Sequence, residues 1–334
     1  MSEILGAAVI GLGMMGQRHA RIWAELPGTR LVSVHDLDAQ LTAQAAQAYD
    51  VVGAASLQEA LGAPGVDMVS VCTDDRYHLE PCVAAAQAGK HVLVEKPLAL
   101  NLADADAIIA ACHGAGVTLM VGHVVRFDPR YQAAKQAIDA GEVGDIIHVY
   151  GRRNNILASG RRICGRTSVA FFLGSHDLDL MRWFVGAEVV RVYAESSRKA
   201  LADVGADDTI YTLLKYDNGA VGCLETCWAI PEGVPNTLDA RLEVIGTAGR
   251  VAVRVGDESL EIASQDRARR PDIAYGPIVC DLQHGALRTQ LEHFADCVRT
   301  GCPPLISPSD ARAAVELCVA IHQSLDAGMP VALR

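Results

Sequence analysis

Residues 7–36 read AAVIGLGMMGQRHARIWAELPGTRLVSVHD. An apolar run ends at Ile10, a glycine-rich turn follows, and the spacing then predicts a helix from Met14 to about Leu26. The apolar run 31–34 predicts a second strand. A strand, a tight turn, a helix and a second strand in this order predict a β-α-β unit whose two strands lie parallel.

The same alternation of short apolar strands and helices continues to residue 121. Predicted strands cover 67–72, 91–94 and 117–121, and predicted helices cover 38–49, 76–88 and 101–115. Such alternation is typical of a parallel sheet covered by helices on both faces. We therefore predict an α/β, doubly wound domain over residues 1–123.

The pattern changes after Phe127, where one more helix is followed mainly by strand patterns. Asp217-Asn218-Gly219 predicts a tight turn between two β-rich runs, and Thr247-Ala248-Gly249 separates ARLEVIG from RVAVRV in the same way. These hairpins predict an α+β domain over residues 124–334, with a large, mostly antiparallel open sheet and a last helix at 309–326.

Composition limits the partners of the chain. A length of 334 residues suits two domains. The net charge of −11, without a basic run, argues against a nucleic acid or an anionic membrane as partner, because those surfaces attract clustered Lys and Arg. No apolar run approaches the roughly 20 residues that a membrane span needs. We expect a cytoplasmic protein.

The ten cysteines are scattered along the chain without a Cys-x-x-Cys pair. Several lie among apolar neighbours, which favours buried, reduced thiols in a reducing compartment. Cys223 and Cys227 share one face of a predicted strand, but no histidine or carboxylate stands at metal-ligand spacing from them. We predict no metal site.

The turn after the first strand fits the pattern G-x-G-x-x-G, with Gly11, Gly13 and Gly16 at the fixed positions and Met14 and Met15 between the last two. Glycines at these positions let the backbone approach a pyrophosphate at the N-terminus of the following helix. Asp36 lies twenty residues beyond Gly16, where a carboxylate accepts hydrogen bonds from the ribose hydroxyls and repels a 2′-phosphate. No Arg or Lys follows closely, so we predict NAD rather than NADP.

Strand 91–94 runs into Glu95-Lys96-Pro97. Ligands of such folds bind at the carboxyl edge of the sheet, where a lysine ammonium can hydrogen-bond a substrate oxygen and stabilise its charge. For an isolated lysine, a surface residue that ends a strand is the alternative interpretation.

Together with later segments, these features resemble the Gfo/Idh/MocA family of sugar and cyclitol dehydrogenases over the whole chain. The order and spacing of the matching segments carry the resemblance. They are the glycine turn, Val71-Cys72-Thr73 with His78, Glu95-Lys96-Pro97, Val121-Gly122-His123 with Arg126-Phe127, Gly174-Ser175-His176-Asp177-Leu178-Asp179 with Arg182-Trp183, and Leu242–Thr247.

The resemblance implies oxidation of a secondary alcohol to a ketone, or the reverse, with hydride passing to or from the nicotinamide. It implies Lys96 and His176 as the catalytic pair. His176 accepts the proton, because imidazole titrates near working pH, and Lys96 orients and polarises the oxygen in contact with cofactor and substrate; the two roles can be exchanged. From the residues alone, His176 heads an apolar-spaced helix and is equally a capping or packing residue.

Further cofactor contacts are implied for Thr73, His78, Glu95 and His123, each of which, taken singly, is as readily a packing residue. One position departs from the family pattern. Many members carry an aspartate four residues before the catalytic histidine, where this chain has Phe172. Either His176 acts without that partner, or another carboxylate, such as Asp177 or Asp179, supports it.

Substrate contacts are implied for the strand that ends near residue 155. Family members bind polyol hydroxyls from this strand, so we expect Arg153 and Asn155, with Arg126, to contact a sugar or polyol. Arginines at 152, 153, 161, 162 and 166 also suit an anionic sugar such as a uronate, a sugar phosphate or a nucleotide sugar. A solvated loop, or an arm that reaches a neighbouring subunit, is the plainer interpretation.

The resemblance also implies a homodimer or homotetramer that covers the open sheet. A non-catalytic NAD-binding regulator is the alternative from a different functional class. The presence of both Lys96 and His176 argues against it, whereas Phe172 keeps it open.

Overall fold

The computed structural model describes residues 4–256, 260–263, 268–271 and 273–333. Residues 1–3 and 334, at the outer ends of the two predicted domains, lie outside the described residues. The chain divides into two compact units. One comprises the chain up to Val124 and the segment Gly276–Arg312, and the other comprises Val125–Tyr275 and the segment from Ala313 onward.

The first unit is built on a six-stranded parallel sheet of order β3-β2-β1-β4-β5-β6, as the strand–helix alternation predicts. Every residue of the central strand β1 is buried. The strand order reverses between β1 and β4, and ligands of open parallel sheets bind at such a switch point. The strands are β1 (Leu5–Ile10), β2 (Thr29–His35), β3 (Val52–Gly53), β4 (Met68–Val71), β5 (His91–Val94) and β6 (Leu119–Val121).

The helices between these strands mostly begin at a polar capping residue. Asp38, Ser56 and Asn101 each accept a hydrogen bond from a backbone N–H of the first helical turn, which satisfies a donor that has no partner within the helix. Helix α1 is preceded by Gly13, which provides no side-chain cap. The helices are α1 (Met14–Glu25), α2 (Ala39–Tyr49), α3 (Leu57–Gly62), α4 (Leu79–Gln87) and α5 (Leu102–Ala115).

The second unit contains a larger sheet, in which β12, β11, β7, β10, β9 and β8 follow one another. Only the β7–β10 pair is parallel among these neighbours, so the predicted antiparallel character and both predicted hairpins are confirmed. The elements are α6 (Pro129–Asp139), β7 (Ile146–Ile156), α7 (Leu157–Ile163), α8 (Ser175–Val185), β8 (Val189–Ser197), β9 (Thr209–Tyr216), β10 (Val221–Ile230), β11 (Leu238–Gly246) and β12 (Arg250–Val255).

Helix α8 packs closely on one face of this sheet. An added Cβ atom at Gly151 would lie 3.0 Å from the sulfur of Met181, and one at Gly222 would lie 3.0 Å from its Cε, so these glycines make room for the helix. The opposite face, which we call the open face, exposes Tyr211, Leu213 and Val221.

The remaining elements follow residue 260. The short strands β13 (Ile262–Ala263) and β14 (Ala268–Arg269) form one hairpin, and β15 (Ile278–Val279) and β16 (Leu282–Gln283) form another. Helix α9 (Ala286–Thr300) contacts α1, which explains why the segment from Gly276, expected in the second domain, groups with the first unit. Helix α10 (Pro308–Ala327) follows, and β17 (Val331–Ala332) pairs with β8. Within the described ranges, no helix has the length and apolar character to cross a membrane.

Candidate cofactor and active-site residues

The glycine turn lies at the carboxyl end of β1, against the end of β4. Gly11 has a φ of +88°, and a Cβ atom there would lie 2.7 Å from the carbonyl of Cys72. A Cβ atom at Gly16 would lie 1.8 Å from the Gly11 carbonyl oxygen. Both positions therefore require glycine for close packing within the protein. Gly13 differs, because a Cβ atom there would meet nothing within 4 Å.

The space above Gly13 fits a diphosphate. Helix α1 starts directly after this residue, with no side-chain cap and no acidic residue in its first turn. A helix N-terminus of this kind presents backbone N–H groups and a partial positive charge to an anion. Met14 is exposed and Met15 half-buried at this helix start. The residues present thus fit the diphosphate of a dinucleotide such as NAD.

Asp36 follows β2 and is fixed against the same turn. Its Oδ2 accepts a hydrogen bond of 2.6 Å from the Leu12 N–H, and its Oδ1 accepts one of 2.9 Å from the Asp38 N–H. The carboxylate is half-buried and adjoins the glycine turn. This position suits an acceptor for the ribose hydroxyls of NAD and an obstacle to a 2′-phosphate.

Glu95, which directly follows β5, contacts a buried polar cluster that was not predicted from the sequence. Its Oε1 is 3.2 Å from Nε2 of His19, a fully buried residue of α1. Nδ1 of His19 is 3.0 Å from Oγ of Ser70, which also accepts a hydrogen bond from Trp23. Burial acts to raise the pKa of Glu95, but the interactions with His19 and the charges of Lys96 and His78 together outweigh it, so the pKa is lowered.

The sequence gives little indication that His19 has a polar partner. It stands three residues after Gly16 and four before Trp23, on the face of α1 that turns to the sheet. A histidine on an otherwise apolar helix face indicates a polar partner on the sheet that this face packs against.

The loops after β4 and β5 are joined by His78. Nδ1 of its buried ring is 2.9 Å from the Pro97 carbonyl oxygen, and Nε2 is 3.3 Å from the Thr73 carbonyl oxygen. Burial lowers the pKa of His78. The ring thereby links the loop that carries Thr73 to the segment that carries half-buried Lys96. His123 follows β6 and is buried.

In the second unit, His176 is the second residue of α8 and is half-buried. Its Nδ1 atom is buried. Phe172 lies in the π-helical turn Ala170–Gly174 that precedes α8. The phenyl ring of Phe172 cannot accept a proton, and it cannot orient an imidazole as a carboxylate does.

The two carboxylates suggested as alternatives to that aspartate each bind an arginine. Nε of Arg153 is 2.6 Å from Oδ2 of Asp177, and Nη2 is 3.1 Å from Oδ1. Nε of Arg126 is 2.7 Å from Oδ2 of Asp179, and Nη2 is 2.6 Å from Oδ1. All four side chains are buried. Burial acts to lower the pKa of Arg153, but the charge of Asp177 reverses this and raises it.

The three predicted substrate residues therefore have different surroundings. The guanidinium groups of Arg126 and Arg153 tie neighbouring segments to α8, and Arg126 also lies 5.2 Å from the centre of the Trp183 ring. Asn155 is half-buried near the end of β7, and its Oδ1 accepts a hydrogen bond from the Ile156 N–H.

Two further arginines of the same region also bind carboxylates. Arg152 lies 2.8 Å from Asp239, and Arg161 lies 2.8 Å from Asp203. In the part of the chain that the structure describes, no group of three or more His, Cys, Asp or Glu residues could hold a metal ion.

The chain is similar to known proteins in both units. Residues 5–123 match the family model "Oxidoreductase family, NAD-binding Rossmann fold", and residues 131–252 match the model "GFO/IDH/MocA C-terminal domain". The expected resemblance, the Rossmann fold and NAD as cofactor are confirmed by these matches and by the relatives below.

Two curated relatives match the chain almost end to end. The scyllo-inositol 2-dehydrogenase (NAD(+)) of Bacillus subtilis is 33% identical over 100% of this chain and 97% of its own length. The myo-inositol 2-dehydrogenase of Thermotoga maritima is 30% identical over 98% of each chain. Among solved structures, myo-inositol 2-dehydrogenase from Lactobacillus plantarum superimposes with a TM-score of 0.86 at 25% identity, over 99% of this chain and 100% of that one.

Proposed function

Because the chain belongs to the Gfo/Idh/MocA family of NAD-binding oxidoreductases, we propose that it is an NAD-dependent dehydrogenase of an inositol-like cyclitol. It oxidises one secondary alcohol of the ring to a ketone, or catalyses the reverse reaction. One observation supports an inositol-like cyclitol as the substrate. Both relatives described above are named as inositol 2-dehydrogenases, and their similarity extends over both units.

The first unit holds the cofactor. Backbone N–H groups between Gly11 and Gly16 bind the diphosphate, and the Asp36 carboxylate accepts hydrogen bonds from the adenosine ribose. Thr73, Glu95 and His123 follow neighbouring strands and contact the nicotinamide half, while His78 holds two of these loops together. When bound, NAD supplies the acceptor for the hydride that leaves the substrate carbon.

Lys96 and His176 act on the hydroxyl group of the substrate. Oxidation removes a hydride from carbon and a proton from oxygen. Lys96 donates a hydrogen bond from Nζ to that oxygen and stabilises its developing negative charge. His176 takes the proton at Nε2, since Nδ1 is buried. With Phe172 in place of a carboxylate, His176 performs this step without an acidic partner at that position.

A neutral substrate agrees better with the surroundings of the arginines than an anionic one. Arg152, Arg153 and Arg161 each form an ion pair with an aspartate of the same unit. An anionic ligand would compete with those carboxylates for the same guanidinium groups. Arg126 and Arg153 then serve the substrate indirectly, by fixing the helix that carries His176, and Asn155 is the remaining predicted polar contact to a polyol.

The assembly is a homodimer or homotetramer formed through the open face of the large sheet. Tyr211, Leu213 and Val221 expose large apolar side chains there, and apolar surface of this kind is buried when subunits associate. We place the protein in the cytoplasm, since its ten cysteines are free thiols and suit a reducing compartment.

The experiment is a spectrophotometric assay at 340 nm with myo-inositol, scyllo-inositol, neutral aldoses, uronates and sugar phosphates, each with NAD and with NADP. We expect NADH formation with an inositol and a weaker or absent signal with NADP. Turnover confined to uronates or sugar phosphates would favour the anionic alternative. Tight NAD binding without turnover of any compound would favour a regulator.

A further inference from the structure

Two cysteines meet at the end of helix α9. Cys297 lies in the last turn of the helix and is fully buried, whereas Cys302 lies two residues beyond the helix and is exposed. Between them Gly301 has a φ of +71°. This left-handed residue turns the chain back on the helix, and the two sulfur atoms lie 3.4 Å apart.

A disulfide bond requires a sulfur–sulfur distance of about 2 Å, so closing the gap needs a movement of roughly 1.4 Å. Both residues belong to one local turn, five residues apart in sequence. Side-chain rotation can supply most of this movement without separating packed elements. The two reduced cysteines are therefore already close to the positions that they would occupy in a disulfide bond.

The two thiols differ in reactivity. Cys302 is exposed, and its side-chain interactions with Thr300 and then with Cys297 lower its pKa. The charge of Asp296 acts in the opposite direction, but Asp296 is paired with Arg299. Since a thiolate is the form that attacks an oxidant, Cys302 is the more reactive thiol.

Cys297 has the properties of the second, resolving thiol. Burial, followed by its contact with Cys302, raises the pKa of Cys297 to about 12, which keeps it protonated and inert toward solvent oxidants. Nε2 of His293 lies 3.4 Å from its sulfur and accepts a hydrogen bond from the Leu305 N–H.

We propose that Cys297 and Cys302 are a site of reversible oxidation by hydroperoxides, with an intramolecular disulfide as product. The Cys302 thiolate attacks one peroxide oxygen. The O–O bond breaks, an S–O bond forms, and hydroxide leaves, which gives the sulfenic acid of Cys302. Cys297 then attacks this sulfur, and its proton passes to the departing hydroxyl oxygen. The S–S bond forms as the S–O bond breaks and water leaves.

The electrons and atoms balance in this sequence. Two thiols lose two electrons and two protons, and one molecule of hydrogen peroxide takes them up and is reduced to two molecules of water. A thiol reductant reverses the modification. None of these steps uses the cofactor or the catalytic pair, so the inference stands independently of the proposed function.

The experiment uses the full-length protein, reduced, freed of reductant and exposed to hydrogen peroxide in increasing amounts. Free thiols are then blocked with N-ethylmaleimide, and a tryptic digest is analysed by mass spectrometry without reduction. Trypsin cleaves after Arg299, between the two cysteines. A disulfide therefore appears as two joined peptides, and dithiothreitol separates them.

Three variants test the proposal, one of them as a control. In Cys302→Ser the joined peptides must disappear, and because residue 302 is exposed the variant is expected to fold; its circular dichroism checks this. The control is Cys280→Ser, which removes another exposed thiol and must leave the joined peptides unchanged. In Cys297→Ala, the sulfenic acid of Cys302 must accumulate and react with dimedone.

The proposal is overturned if the joined peptides are absent at peroxide concentrations that already oxidise Cys280. It is likewise overturned if Cys297 and Cys302 are linked only between two protein molecules, which non-reducing electrophoresis detects.

Discussion

Arg153 on strand β7 and Asp177 on helix α8 form a buried ion pair, with Nε of the arginine 2.6 Å from Oδ2 of the aspartate. Asp177 is the immediate neighbour of His176. The pair therefore fixes the start of α8 against the sheet, one residue from the proposed proton acceptor. Its two groups are both buried, so neither charge can be screened by water if the other is removed.

We predict that Asp177→Asn destabilises the protein by about 3–5 kcal/mol, because it leaves the charge of Arg153 buried without a counter-charge. Urea unfolding followed by circular dichroism measures the change. The matched control is Glu188→Gln, which removes the carboxylate of an exposed pair with Arg182. That change is expected to cost about 0–1 kcal/mol. Equal effects of the two substitutions would contradict the role assigned to the buried pair.

Stability should depend on pH through His78. Burial lowers the pKa of this histidine in the folded protein below its value in the unfolded chain. The unfolded state therefore binds more protons as the pH falls through the ordinary histidine range. The stabilisation is fully present above the unfolded pKa and is lost as the pH falls toward the lower, folded pKa.

The test compares urea unfolding at pH 7.5 and at pH 5.5 for the wild type and for His78→Gln. We expect the wild type to lose more stability than the variant over this interval, since the variant lacks the titrating ring. Other histidines with lowered pKa, such as His91 and His322, contribute equally to both proteins and cancel in the difference. An identical loss in both would show that His78 is not a source of the pH dependence.

The open space above Gly13 predicts a change in cofactor affinity without a change in stability. The φ of Gly13 is −64°, and an added Cβ atom would meet nothing within the protein. Gly13→Ala should therefore unfold at the wild-type temperature, yet its methyl group should occupy space needed by the diphosphate. We expect the Kd for NAD to rise about tenfold or more, equivalent to about 1.4 kcal/mol.

Isothermal titration calorimetry with NAD, and differential scanning fluorimetry without it, give the two readings. Gly114→Ala is the control, because Gly114 in α5 also has open space around it but lies in a different helix. Wild-type affinity of Gly13→Ala would place the diphosphate elsewhere.

Asp36 should determine the preference between the two dinucleotides. Asp36→Asn removes the negative charge that repels a 2′-phosphate and weakens the acceptor for the ribose hydroxyls. We expect the ratio of the Kd for NADP to the Kd for NAD to fall about tenfold or more. Asp38→Asn is the control, since Asp38 carries a similar charge two residues away but caps α2. An unchanged ratio in Asp36→Asn would argue against contact with the ribose.

Local features of this fold could be predicted from the sequence. The β1–turn–α1 unit follows from apolar spacing and from the glycine pattern of the turn, in which Gly11 and Gly16 have no space for a side chain, and the hairpins follow from short turns between alternating strands. Each of these signals lies within about ten to thirty neighbouring residues, where hydrogen bonding and sterics act directly.

The contacts that surround the site could not be predicted in this way. Arg126 pairs with an aspartate 53 residues later, and His19 meets Glu95 across the sheet. These partners are fixed by tertiary packing, and their sequence spacing has no period to detect. The placement of Gly276–Arg312 in the first unit is similar, since it follows from the contact of α9 with α1.

Lys96 is proposed to act in the oxidation of a cyclitol, and the initial rate of NADH formation from an inositol measures this role. We expect that Lys96→Ala lowers this rate by about 10²-fold or more, while the Lys199→Ala control, at an exposed position, keeps the wild-type rate. Equal formation of NADH and ketone by the wild type would confirm the reaction. A wild-type rate in Lys96→Ala would exclude this role of Lys96, and the absence of ketone from every inositol would exclude the proposed reaction.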